Sequence, residues 1–283
     1  MKLSRAAAIA AVSAAGLSVP ASANHSWNGY HWATTGSGLT VKVNASISGQ
    51  WPTYVDGSIA DWEQSTKLSL GKRINSTADP RKCNPIAGQV QVCNTTYGQR
   101  GWLGIASIWL TNNHISQATT KLNDTYFNMA RYNTPAWRAM VACQEIGHDW
   151  GLDHQDENFS NTNLGTCMDY TNDPTGTAGT NGTKSNEHPN QHDYDELVTI
   201  YSHDDGSSTA TASTNFGIRQ VGKPVHQGPA TSEGAGNSPA EWGRAIHTDS
   251  LGRPDVFEKV LGPDDKVVTH VFWALETKRA NIE

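Results

Sequence analysis

Gln144, Glu145, His148 and His154 fall within one short string and have the types and spacing that metal-assisted hydrolysis requires. Such chemistry needs ligands held rigidly on one side of an ion, an open position for water, and a carboxylate placed to take that water's proton. On a helix, positions 144 and 148 lie one turn apart and reach the same ion, while Glu145 projects beside them. His154, beyond a turn at Gly151, can return as a third ligand. Glutamine is the exception in this set, because its neutral amide oxygen is a poorer zinc donor than an imidazole nitrogen. Three outcomes stay open: a weaker site through the Gln144 amide oxygen, which is the preferred one; a site completed by another residue; or a site that has lost metal and activity.

The string QEIGHDWGLDH, residues 144 to 154, resembles the metzincin signature HExxHxxGxxH. Glu145, His148, Gly151 and His154 match it, and Gln144 stands where the family has its first histidine. Met168, in Gly165-Thr166-Cys167-Met168-Asp169-Tyr170, sits where metzincins place the methionine turn beneath the metal. Tyr170 is similar to the tyrosine of astacins and serralysins, whereas the order of elements over residues 39 to 201 looks like the matrixin branch. The resemblance implies one catalytic Zn2+ held by Gln144, His148 and His154, with Glu145 as general base and Tyr170 assisting the oxyanion. It implies a secreted zinc endopeptidase acting on peptide or protein substrates. The fold it implies is α+β: a zincin-like domain with a mixed twisted sheet, an active-site helix and the Met-turn.

The elements that must position these residues can be placed from patterning. Thr134-Pro135 is a helix start, with Thr as the cap and Pro at the first helical position. The helix should run to about Trp150, with Trp137, Val141, Gln144 and His148 on one face and Gly151 ending it. Leu39 to Val43 reads as a strand and Pro52 to Leu70 as a helix, with Val55, Ile59 and Trp62 on one stripe. Trp102 to Leu110 is a nearly continuous apolar run, as in a buried strand. The more polar His114 to Asn123 is expected at the sheet's edge, where it would align a peptide by strand addition. Residues 172 to 188 read as a loop shaping a specificity pocket, and 190 to 201 as a last helix.

Residues 1 to 23 read as a secretory signal: Lys2 and Arg5, then an apolar run, then Ala21-Ser22-Ala23. Residues 24 to 204 form the expected catalytic domain, 205 to 248 a flexible linker, and 249 to 283 a small appendage. In that appendage Val256 to Leu261 and Lys266 to Leu275 form a β-hairpin. Without Lys2 and Arg5 the chain keeps 19 basic residues against 27 acidic ones, a formal net charge of −8. That balance argues against a nucleic-acid partner. No later stretch has the roughly 20 apolar residues of a membrane span, and the expected state is a secreted monomer.

Cys83, Cys93, Cys143 and Cys167 form an even set in an exported chain, which favours two disulfides. Four cysteines allow three pairings, and Cys83 with Cys93 plus Cys143 with Cys167 is the first choice. The second pair follows from the family resemblance. Cys143 precedes the first ligand position and Cys167 precedes Met168, segments that a metzincin brings together under the metal.

Other readings compete. A catalytically silent metzincin fold acting as a binding protein would keep the same motif. Ten tryptophans suggest a secreted carbohydrate-binding module, although Trp109, Trp137 and Trp150 lie in apolar patterns that suggest core. His188 and His192, four apart, and His114 are weak candidates for a substitute ligand. Pro80-Arg81-Lys82-Cys83-Asn84-Pro85 faintly resembles a latency-conferring cysteine switch. It is set aside, because using Cys83 in that way would leave three cysteines unpaired.

Overall fold

The computed structural model describes residues 24 to 178, 182 to 210 and 233 to 282. The expected signal, residues 1 to 23, lies outside them, as does half of the expected linker, residues 211 to 232. Strands β1 (His31–Trp32), β2 (Leu39–Thr40) and β3 (Lys42–Ser46) lead into helix α1 (Trp51–Trp62). The short strands β4 (Leu68–Ser69) and β5 (Ile74–Asn75) precede the longer β6 (Gln89–Thr95), β7 (Trp102–Thr111) and β8 (His114–Asn123). Helices α2 (Asp124–Phe127), α3 (Pro135–His148) and α4 (Gln191–Ile200) follow. The C-terminal part adds α5 (Pro239–Trp242), β9 (Arg244–Thr248), β10 (Pro254–Val260) and β11 (Asp265–Trp273). The architecture is mixed α+β.

The main sheet runs β5-β3-β6-β8-β7-β11-β10-β9, with β1 attached beside β8. Strands β5, β3, β6 and β8 are mutually parallel, while β7, β11, β10 and β9 join by antiparallel pairs. Asn112 and Asn113, both at positive φ (51° and 67°), make the two-residue turn from β7 to β8. That conformation matches the right-handed twist of paired strands, and asparagine tolerates it.

Two expectations about the sheet are revised. His114 to Asn123 is not at the edge: β8 lies between β6 and β7. The far side of β7 is occupied in turn by β11, in register from Asp265 opposite Thr111 to Trp273 opposite Trp102. The C-terminal hairpin therefore extends the same sheet, and the span expected as linker contains α5 and β9. Local patterning showed that 266 to 275 was a strand, but strand pairing is a long-range choice that patterning does not encode.

Alternation along β11 divides its side chains between two cores. Val268 and Phe272 face the core shared with α1 and α3, while Val267, Val271 and Trp273 join Trp102, Trp109, Trp242 and Phe257 on the opposite face. All ten tryptophans are buried. None offers a face for stacking on a sugar.

Helix α1 stops at Trp62, short of the expected Leu70. The Glu63 carboxylate accepts the N–H groups of Leu70 and Gly71 at 2.8 and 2.7 Å and folds the chain back. Helix α3 begins as expected, with the Thr134 hydroxyl accepting the Trp137 N–H and Pro135 in the first turn. Asn190 and Asp193 form a reciprocal capping box on α4. Both disulfides, Cys83–Cys93 and Cys143–Cys167, are formed in the first-choice pairing. No helix among the described residues is long and apolar enough to cross a membrane.

Candidate metal centre

Helix α3 carries Gln144, Glu145 and His148 on its buried side. Three residues past its end, Gly151 has φ 88°, and a Cβ there would lie 2.1 Å from the Tyr30 carbonyl oxygen. Only glycine fits that close approach. The chain then returns to bring His154 beside His148, ring centroids 4.8 Å apart. Met168 packs under the helix: a Cβ on Gly147 would sit 2.6 Å from its sulfur, so the glycine is what admits the methionine.

The third imidazole of the cluster is His270, from β11. Its ring centroid is 4.1 Å from that of His148 and 4.7 Å from that of His154. One potential ligand atom from each of His148, His154 and His270 lies within 4.8 Å of the others. Period-two alternation places His270 on the same face as Val268 and Phe272, toward α3. It is a lone histidine in the strand KVVTHVFW, and the polar Thr269-His270 pair inside that apolar run was the available sequence signal.

Each of these rings has one nitrogen engaged and one free. His148 Nδ1 is 2.8 Å from the Leu152 carbonyl, His154 Nδ1 is 3.3 Å from the Glu157 carboxylate, and His270 Nε2 is 2.8 Å from the Tyr170 hydroxyl. The remaining nitrogens, His148 Nε2, His154 Nε2 and His270 Nδ1, are buried without a hydrogen-bond partner. So are both Glu145 carboxylate oxygens, with His270 Nδ1 3.5 Å from Oε2. Unpaired buried polar atoms each cost about 1–3 kcal/mol. A convergent set whose other nitrogens are anchored by carbonyl, carboxylate and hydroxyl groups fits a bound divalent cation.

The electrostatics agree with that fit at two of the three rings. Burial, and then the charge of Asp149, push the Glu145 carboxyl well above its usual range. Burial, and then the neighbouring histidines, hold His148 and His270 well below theirs, so both are neutral imidazoles with a lone pair to give. Burial also pulls His154 down, but the hydrogen bond that its Nδ1–H donates to Glu157 and the charges of Asp153 and Glu157 outweigh it and raise the ring. Burial lifts the Tyr170 phenol well above its ordinary value.

Gln144 is in place on α3, but its amide nitrogen donates to the Cys167 carbonyl at 2.7 Å, and its amide oxygen is buried without a partner. Tyr170 is occupied by His270. His188 and His192 stay apart from the cluster: His188 pairs with Asp61 and His192 stacks on His25. His114 belongs to a different group of histidines, near Asp205.

None of Glu145, His148, His154, Tyr170 and His270 is more than 9% exposed, so no substrate reaches them in this conformation. Trp27 covers His148 at 5.2 Å between centroids, held there by its N–H on the Gly151 carbonyl. The chain matches no family model and no curated protein.

Proposed function

We propose that this protein is an exported, zinc-dependent endopeptidase of metzincin type, with its metal held by His148, His154 and His270. The observation that supports this reading is the convergence of three unpartnered imidazole nitrogens beside the unpartnered Glu145 carboxylate. Three imidazoles suit zinc, and His270 supplies the donor that position 144 lacks. In this reading Gln144 braces the Cys167 carbonyl above Met168 rather than binding the ion. Bound there, zinc supplies a Lewis acid that polarises a peptide carbonyl and acidifies water.

Glu145 takes the proton of the attacking water on a carboxylate oxygen and passes it to the leaving amine. Tyr170 orients His270 through its hydroxyl. Both sides of β8 and of β7 are occupied by other strands, so a peptide substrate would bind elsewhere than by adding a strand there. Signal sequence and paired disulfides support export.

A second reading is a silent metal-stabilised fold acting as a binding protein, favoured by the burial of every site residue. Bound zinc and casein cleavage, measured on the mature protein and on Glu145→Ala, separate the two. The peptidase reading expects about one equivalent at this centre in both, with cleavage lost from the variant by roughly 10²–10⁴-fold. Metal without cleavage in the parent selects the silent fold, and no metal at this centre rejects both.

A further inference from the structure

A second group of metal-ligating side chains lies at the other end of β8. We propose that His31, His203 and Asp205, with His114 beside them, form a zinc site that ties the N-terminal segment to the chain leaving α4. This proposal is independent of the centre on α3, because it shares no residue with it.

Asp205 Oδ1 is the hub. It lies 3.4 Å from His31 Nε2, 3.0 Å from His203 Nε2 and 3.5 Å from His114 Nε2. His31 Nε2 and His203 Nε2 are themselves 3.1 Å apart. Ligand atoms placed 2.0–2.1 Å from a tetrahedral zinc are separated by about 3.3 Å. The three spacings within His31, His203 and Asp205 scatter about that value, and these are the donors whose ligand atoms all lie within 4.8 Å of one another.

The donors are also aimed. His31 Nδ1 meets the Gly29 carbonyl at 2.8 Å, which places its proton on Nδ1 and leaves Nε2 as a lone pair facing the cluster. Asp205 Oδ2 accepts the Thr34 N–H at 2.8 Å, and the Asp205 N–H returns to the Thr34 carbonyl at 2.9 Å, so Oδ1 is the oxygen left to face the rings. Burial works against the Asp205 charge, but the Thr34 N–H and His31 outweigh it and keep the carboxyl below its usual range. A proton on His203 Nε2 is shared between the His31 Nε2 lone pair at 3.1 Å and Asp205 Oδ1 at 3.0 Å, and one ion in place of that proton would take a donor atom from each of the three.

The fold brings the ligands together from distant positions. His31 and His114 are register partners at the start of the parallel pair β1 and β8. His203 and Asp205 follow the end of α4. The ion would pin the N-terminal segment to the chain leaving α4, with His114 next to the cluster at 3.5 Å from Asp205 Oδ1.

His203 has a side chain 48% exposed, so replacing it leaves the packing intact. Zinc bound per full-length chain is measured at pH 7.5 against a competing chelator for the parent and for His203→Gln, with thermal unfolding followed in each with and without zinc. The expected result is one equivalent fewer in His203→Gln and loss of part of the zinc-dependent rise in Tm. Repeating the comparison in a His148→Ala background keeps the outcome separate from the fate of the first centre, which that substitution disables. Equal zinc content and equal zinc response in parent and His203→Gln would overturn the proposal and leave a proton-linked ion-pair cluster.

Discussion

The Tyr170 hydroxyl and His270 Nε2 lie 2.8 Å apart, joining a loop after α3 to a strand 100 residues further along the chain. That contact turns His270 so that Nδ1 faces His148, His154 and Glu145. Tyr170→Phe removes it without removing a ligand, and zinc affinity at this centre is expected to fall about 10–100-fold. His270→Ala should abolish binding there, while Gln144→Ala should leave it in place. Metal retained by His270→Ala and lost from Gln144→Ala would return the third ligand position to α3.

Gly104 of β7 lies directly beneath Glu145. A Cβ at that position would be 2.6 Å from Glu145 Cγ, 2.8 Å from Oε1 and 2.8 Å from a Val141 methyl. Glu145 is buried and has nowhere to swing. Gly104→Ala should therefore displace the carboxylate, costing about 1–3 kcal/mol in stability. Cleavage is expected to drop far more than bound zinc; equal cleavage by parent and variant would show that the position of Glu145 is immaterial.

The Cys143–Cys167 bridge links the ligand helix to the segment carrying Met168 and Tyr170 across a separation of 24 residues. Loop closure of that length stabilises by about 3 kcal/mol. Replacing both cysteines by serine should lower Tm by roughly 6–12 °C for a chain of this size. Calorimetry on the double variant checks this, and an unchanged Tm would mean that packing alone holds the two segments.

His247 links the outer side of the centre to pH. Its Nδ1 is 2.8 Å from Asp255, and its Nε2 is 3.7 Å from Glu157, the residue that holds His154. The Asp255 hydrogen bond raises the His247 ring to about 9, although burial opposes it. Burial lifts Asp255 above its usual value as well, by more than His247 lowers it. A raised histidine contributes stability that is complete below its unfolded value near 6.5 and is lost as pH climbs toward 9. The difference in unfolding free energy between parent and His247→Gln should therefore shrink from pH 6.5 to 9. A constant difference over that range would exclude the pair as the cause.

Much of the site was legible locally. Thr134-Pro135 set the start of α3, and helical spacing put Gln144 and His148 on one face. Gly151 marked the sharp exit that returns His154, and the cysteine positions matched the bridge that forms. The Cys143–Cys167 pairing followed from the family resemblance. The helix start, the shared face and the exit at Gly151 depend on neighbours within a turn or two, where backbone sterics, capping and periodicity decide the outcome. The same holds for the β10–β11 hairpin, whose alternation was visible before its partner was.

The tertiary structure alone decided that β11 pairs with β7, and hence that His270 completes a cluster for which position 144 offers only an amide. A strand's sequence states that its side chains alternate, but neither which strand it joins nor in what register. A slip of one residue would have sent His270 to the opposite face. His31, His114, His203 and Asp205 show the same limit. Isolated in the sequence, they converge because a parallel strand pair and the exit from α4 meet at one end of the sheet. Local spacing thus determined where chemistry was possible, and non-local strand pairing determined which residues share it.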